Sequence, residues 1–218
     1  MIVLNLKSYE ETFGNQTNIF LDPIKEITQN SKIQIYVAVN AVDIRMAKES
    51  YPQINIISQN VDSDKVGSST GKIVPELLLT AGINYSLFNH SENRKNSLTI
   101  IEDIKNIQSR GIKLIVCCEN VEEAKEILKA EPFAIAFEPP ELIGSGISVS
   151  NYPDLVKDFI NLFESSNTIP LIGAGISKGT DIKDSIALGA HGVLLASAYV
   201  KASDKKAKLK ELLDGFVD

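Results

Sequence analysis

The chain has 218 residues, 22 Lys plus Arg against 28 Asp plus Glu, and a net charge of −6. With 44% hydrophobic and 23% charged residues it can fill a sizeable core, which excludes a disordered chain or a fibrous repeat. A pI near 5.1 argues against a protein that grips nucleic acid, and no apolar run is long enough for a membrane span. At roughly 150 residues per domain, the length allows one large domain or two small ones. Met1–Lys7 lacks a basic region followed by an apolar stretch and a cleavage site, so it does not read as a signal peptide. Cys117 and Cys118 are adjacent and would point to opposite faces of a strand, so neither a disulfide between them nor a zinc site is expected. The chain reads as cytoplasmic and reduced.

The first apolar run, Ile2–Leu6, is nearly continuous rather than alternating, as in a strand buried on both faces. A helical stripe of Ile19, Phe20, Ile24 and Ile27 follows, with Pro23 setting the helix start near Asp22. Runs of the strand type recur at Ile33–Val39 and Ile54–Ser58. A long loop over Val61–Lys72, containing Gly67-Ser68-Ser69-Thr70-Gly71, then precedes the run Tyr85–Phe88. A helix is predicted over Ser97–Ser109, stopping at Gly111. The run Lys113–Cys117 leads to a helix over Val121–Lys129, with Asn120 as its N-cap and Glu122 and Glu123 set against its positive end. Next come the run Phe133–Phe137, an amphipathic helix over Asn151–Phe163, and the run Pro170–Ile172. The chain finishes with a helix over Asp181–Leu188, the run Gly192–Leu195, and a helix over Asp204–Leu213.

Strand and helix alternate without a linker or a shift in composition, so residues 1–218 are expected to form a single α/β domain. Repeated strand–helix units imply a parallel sheet with right-handed crossovers. Eight of them, at about 27 residues per unit, suit a closed (β/α)8 barrel with its active site at the C-terminal strand ends. The rival, an open doubly wound sheet, would want a Gly-rich turn after the first strand, and Asn5-Leu6-Lys7-Ser8-Tyr9 has none.

The polar residues that follow the strands are therefore the candidates for chemistry. Asn5 and Lys7 lie two apart at the end of the first strand, where Lys7 is either a solvated loop charge or the holder of an anion. His90 follows the fourth strand in Asn89-His90-Ser91-Glu92-Asn93-Arg94. It is either a structural cap or an electrophile kept neutral by the positive end of the next helix. Glu92 can pair with Arg94 or fix a nearby lysine. Glu138 ends the sixth strand, where a carboxylate is costly unless used or paired. The segment Glu138-Pro139-Pro140-Glu141-Leu142-Ile143-Gly144-Ser145-Gly146 combines a stiff start with permissive glycines, as a hinged lid requires. After the seventh and eighth strands, Gly173-Ala174-Gly175-Ile176-Ser177 and Ala196-Ser197-Ala198 let a phosphate approach backbone N–H groups. His191 opens the last strand and reads as a surface residue.

Taken in order over the whole chain, these residues and Gly192-Val193-Leu194-Leu195-Ala196-Ser197 resemble the triosephosphate isomerases, in their shorter archaeal form. The resemblance implies interconversion of glyceraldehyde 3-phosphate and dihydroxyacetone phosphate through an enediolate, in glycolysis and gluconeogenesis. It implies Glu138 as the base, neutral His90 as the electrophile, and Lys7 and Asn5 on the developing negative charge. Glu92 and Ser91 would support them, and Ile143, Gly175, Ala196 and Ser197 would hold the phosphate. The lid Glu138–Gly146 would close over the substrate and exclude water. It implies no metal and no cofactor. It also implies at least a homodimer, with a tetramer left open, in which Thr70 of the loop Val61–Lys72 braces the neighbouring site. Ala198 and Tyr199 depart from the small residues usual there, and Ser145 from the commoner threonine. The alternatives are another phosphate-gripping barrel isomerase or lyase, and an idle barrel serving as a scaffold.

Overall fold

The computed structural model describes residues 1–29, 31–140 and 152–216. Its strands are β1 (Ile2–Asn5), β2 (Ile35–Val39), β3 (Asn55–Ser58), β4 (Tyr85–Phe88), β5 (Lys113–Cys118), β6 (Ala134–Phe137), β7 (Ile169–Ile172) and β8 (Val193–Leu195). Each pairs in parallel with its neighbours in sequence, and β8 returns to β1 through Ile2↔Val193, Val3↔Leu194 and Leu4↔Leu195. The sheet is thus a closed barrel. The helices among the described residues are α1 (Thr17–Thr28), α2 (Ile44–Ser50), α3 (Pro75–Thr80), α4 (Ile100–Ser109), α5 (Val121–Leu128), α6 (Pro153–Asn161), α7 (Gly179–Ala187), α8 (Ser197–Val200) and α9 (Lys205–Asp214).

Two apolar layers explain why the strand runs are continuous. Val3, Ala38, Ile57, Leu87, Ile115, Cys117, Ala136, Leu171 and Leu194 fill the barrel interior. Their strand neighbours, among them Leu4, Val37, Ile56, Phe88, Val116 and Phe137, pack outward against Phe20, Ile24, Ile104, Ile127, Phe159 and Leu212. Both faces are dry, so neither can be polar. Cys117 points inward and Cys118 outward, and both are free thiols. At the N-terminal strand ends the interior is plugged by Tyr36, Tyr85 and Phe133, whose rings meet edge-on or tilted, with centroids 5.1–6.1 Å apart.

The structure departs from the sequence pattern at several helices. Helix α1 begins at Thr17, not near Asp22, and Pro23 lies inside it. Its buried face is Thr17, Phe20, Leu21 and Ile24, while Ile19 faces solvent. The carbonyl of Ile19, which loses its N–H partner to Pro23, therefore sits on the wet side, where water can replace the bond. Helices α2, α3 and α8 carry no readable period because each buries only two residues. Helix α7 starts two residues before Asp181, whose Oδ2 accepts the N–H groups of Ser177 (2.8 Å) and Lys178 (3.0 Å) and so caps the first turn from within. Helix α6 opens on Pro153; the expected start at Asn151 lies outside the described residues. Among the described residues no helix is long and apolar enough to cross a membrane.

Phe159 stacks on Phe137 at 4.9 Å and meets Phe163 edge-on at 4.9 Å, tying α6 to β6. Phe159→Ala is expected to lower the unfolding free energy by about 3–5 kcal/mol, read from the urea midpoint. A loss under ~1 kcal/mol would show that this seam packs loosely.

Candidate active site

The side chains that follow β1 and β4 meet at the C-terminal mouth of the barrel. Lys7 shares a side with Asn5 through a turn and not through strand alternation: β1 ends at Asn5 and Lys7 has a left-handed backbone, φ 53°. Asn5 Oδ1 accepts the Lys7 N–H at 3.0 Å. The Lys7 ammonium reaches Glu92 Oε1 at 2.8 Å, which settles the choice of partner for Glu92. Arg94 turns instead to Glu123, 2.5 Å away, and to Glu119 at 3.7 Å.

His90 is buried and follows Asn89, another left-handed residue at φ 59°. Asn89 Nδ2 donates to the Cys117 carbonyl (2.9 Å) and to Glu123 Oε1 (3.0 Å), and its Oδ1 accepts the Lys95 N–H (2.9 Å). The turn that presents His90 is therefore anchored to β5 and α5. His90 Nδ1 accepts the backbone N–H of Glu92 at 3.2 Å, although Glu92 Oε2 is only 3.6 Å away. A nitrogen that accepts carries no proton, a geometry that suits the imidazole tautomer with its N–H on Nε2. Ser91 opens the single 3-10 turn Ser91–Asn93 that supplies this donor, and its own residue is exposed.

Glu138 leaves the end of β6 and is buried in the wall of the cavity, with its Oε1 3.8 Å from His90 Nε2. Among the described residues its Oε2 has no hydrogen-bond partner. Burial pushes the carboxyl above its ordinary value, and His90, Cys117 and Lys7 pull it part of the way back. Gly173, at the end of β7, makes this placement possible: a Cβ there would stand 2.5 Å from Glu138 Cγ.

The cavity has a volume of about 390 Å³ and is lined by Lys7, Tyr9, His90, Glu138, Gly173, Gly175, Ala196 and Ser197, among others. Gly175 adopts φ 70°, which a side chain would resist. Ala196 precedes α8, whose first N–H groups have no intrahelical acceptor and a favourable dipole for an anion. Ala198 and Tyr199 do not crowd this end. Tyr199 is fully buried on the far side, its hydroxyl donating to the Phe20 carbonyl at 2.6 Å, and Ala198 packs against the outer core. Pro139 is buried and Pro140 exposed. Glu141, Leu142, Ile143, Gly144, Ser145 and Gly146 lie outside the described residues. Thr70 lies on an exposed part of the loop after β3, and His191 is exposed.

Sequence patterning misses four contributors. Gln59 follows β3 directly and donates to the Lys7 carbonyl at 2.9 Å, so inspection of that strand end would have found it. Tyr9 lines the cavity beneath the ammonium of Lys201, 4.2 Å from the ring centroid, and Lys201 is held in turn by Glu11 at 2.7 Å. The Arg94–Glu123 bracket and the packing of Gly173 against Glu138 depend on contacts between residues far apart in sequence, which leave no local pattern. Among the described residues, no three His, Cys, Asp or Glu side chains are grouped to hold a metal ion.

A family profile described as Triosephosphate isomerase matches residues 1–214. The chain belongs to the triosephosphate isomerase family. It is similar to proteins named triosephosphate isomerase from Methanocaldococcus jannaschii (38% identical over 216 residues, covering 98% of each chain) and Methanobrevibacter smithii (39% over 216 residues, covering 98% of this chain and 97% of the relative). A third, from Thermoplasma volcanium, is 34% identical over 213 residues, covering 97% of this chain and 98% of its own. The reaction of the triosephosphate isomerase family is the interconversion of an aldose and a ketose triose phosphate, and this chain is such an isomerase. Gly173→Ala is expected to lower kcat at least about tenfold with the fold intact, because the new methyl displaces the Glu138 carboxylate. Steady-state kinetics and the thermal midpoint together check this; unchanged kcat would mean that Glu138 does not need its place against Gly173.

Proposed function

We propose that Glu138, His90 and Lys7 carry the isomerisation of D-glyceraldehyde 3-phosphate and dihydroxyacetone phosphate. The Glu138 carboxylate takes the proton from the carbon beside the carbonyl. The C–H electron pair becomes the C=C bond, and the carbonyl π pair moves onto oxygen, giving an enediolate. Glu138 then returns the proton to the neighbouring carbon. His90 moves a proton between the two oxygens: Nε2 gives its proton to the former carbonyl oxygen and takes the hydroxyl proton of the other, whose electron pair forms the new C=O as the C=C pair takes the proton from Glu138, a neutral imidazole being the division of labour of this family. Lys7 and Asn5 face the negative charge as it forms, and Glu92 holds the ammonium until substrate arrives. Backbone groups at Gly175, Ala196 and Ser197, with Ile143 from the lid Glu138–Gly146, hold the phosphate. One observation carries the reading: a buried carboxylate oxygen without a partner among the described residues, in the wall of a cavity also lined by an imidazole and a lysine.

We further propose that residues 1–218 act as one catalytic domain in the cytoplasm and assemble as a homodimer. A groove of about 530 Å³ opens beside the cavity, bordered by Asn5, Lys7, Asn40, Gln59 and Glu92. The loop after β3 is built to project: Asp62 and Ile73 close its neck with bonds of 2.8 and 2.9 Å, and Val66 at its tip is 65% exposed. Exposed Phe13 and Val42 border a hollow that shares Ser8 and Asn40 with the groove. The loop of one protomer seated in the groove of its partner covers both features and brings Thr70 to the neighbouring site.

Coupled turnover of glyceraldehyde 3-phosphate tests the activity. Glu138→Asp, which withdraws the carboxylate by one methylene, is expected to cut kcat about 10²-fold. Because the base must be ionised and burial raises its pKa, the acid limb of kcat/KM is expected above the ordinary 4.5, once the titration of the substrate phosphate is divided out. A limb at 4.5 or below, or full turnover by Glu138→Asp, removes Glu138 from the role. For the assembly, light scattering is expected to give at least twice 23.8 kDa. Val66→Asp should give smaller particles whose specific activity rises with protein concentration; an unchanged mass at every concentration would place the interface elsewhere.

A further inference from the structure

Two hollows meet at the mouth of the barrel, the substrate cavity of about 390 Å³ and the groove of about 530 Å³ beside it. Among the described residues, three line both: Lys7, His90 and Tyr9. The first two stand there for the chemistry proposed above. Tyr9 has no part in that chemistry, so its place between the two spaces has another cause. The ring is held on several sides. It is partly buried and packs against the outer core. The ammonium of Lys201 lies 4.2 Å from its centroid, and Glu11 Oε1 fixes that ammonium at 2.7 Å. The Tyr9 carbonyl accepts both the N–H (2.9 Å) and the hydroxyl (2.8 Å) of Thr12, which is fully buried. Lys201 follows α8 directly, and Tyr9 lies two residues beyond Lys7. The stacked pair therefore ties the segment that carries Lys7 to the helix at the other end of the cavity.

We propose that Tyr9 is a specificity-determining residue, its ring being the partition that limits the cavity to a three-carbon phosphate. A substrate is held at two ends, by its carbonyl oxygen at Lys7 and His90 and by its phosphate at Gly175 and Ala196. An added carbon between those ends has to bow the chain into the wall between Lys7 and α8, and that wall is Tyr9. A ring free to turn would yield to the longer chain. The Lys201 stack and the fixed backbone deny this ring that freedom, so a four-carbon sugar phosphate is excluded by bulk and not by a missing hydrogen bond. This inference rests on the reading of the cavity as the seat of a triose phosphate.

The test compares two competitive inhibitors of glyceraldehyde 3-phosphate turnover. In 2-phosphoglycolate the carboxylate stands for the enediolate oxygens; D-3-phosphoglycerate adds one carbon between carboxylate and phosphate. The readouts are the ratio of their two inhibition constants, the thermal midpoint and the particle mass. Tyr9→Ala and Tyr9→Leu are expected to shift the ratio toward the longer acid by at least about tenfold, the usual worth of one carbon in a closed pocket. Tyr9→Phe keeps the ring and is expected to stay within about twofold of the wild-type ratio. An unchanged ratio in Tyr9→Ala and Tyr9→Leu would overturn the proposal. So would an equal shift in Tyr9→Phe, which would assign the effect to the hydroxyl, or a shift that comes with a loss of particle mass, which would assign it to the subunit interface. If Tyr9→Ala fails to fold, Tyr9→Leu decides. A wild type that does not turn over glyceraldehyde 3-phosphate would sink the functional reading itself. A turning-over wild type whose Tyr9 variants all keep its ratio would sink this inference alone.

Discussion

Closure of β8 onto β1 is the constraint from which the rest of the molecule follows. Every strand is parallel, so its backbone groups need a neighbour on each side, and an open edge would leave a row of them unpaired. The closing strand is short, three residues long, and its register is held by three pairs with β1. Gly192 sits at that seam because a Cβ would stand 2.1 Å from the Met1 carbonyl. Once the ring is closed, all strands point the same way, and the residues after β1, β3, β4, β6, β7 and β8 converge on one mouth. The constellation of polar groups at the mouth results from this convergence, since its members lie far apart in sequence.

The same geometry decides what could be read from the chain. The eight strands were legible because both their faces are dry, which leaves continuous apolar runs a few residues long. Helices α4, α5 and α6 show a clear stripe, whereas α2 and α3 bury too few residues to impose a period. Pro23 misleads because the cost of an internal proline depends on whether the freed carbonyl meets water, and that is a property of the folded surface. At the site, Asn5, Lys7, His90 and Glu138 were legible as polar residues placed where strands end. Gln59, Gly173 and the Arg94–Glu123 bracket were not. Each answers to a residue far away in sequence: the Lys7 carbonyl, the Glu138 carboxylate, the Asn89 amide. The conformation of Lys7 is similarly invisible, because nothing in its side chain asks for a left-handed turn.

The three groups at the mouth are held by different means. His90 has its Nδ1 occupied by a backbone N–H. Lys7 is paired with Glu92, whose side chain is exposed. Among the described residues, Glu138 has no donor for its second oxygen. A polar group left so is destabilising by about 1–3 kcal/mol, and a carboxylate in that position has little solvation to shed. The neighbouring thiol of Cys117, which burial holds in its neutral form, is one of the few polar contacts this carboxylate has.

That unpartnered oxygen also links folding to proton uptake. Burial raises the Glu138 carboxyl above its unfolded value of 4.5, so between the two values the folded chain keeps a proton that the unfolded chain has released. The unfolded state then binds fewer protons, and this position's contribution to stability falls as pH rises through the window. Below the unfolded value the penalty is absent; above the folded value it is complete. Most carboxylates in folded proteins behave in the opposite way, being paired and lost to acid. Here acid strengthens the fold at one position.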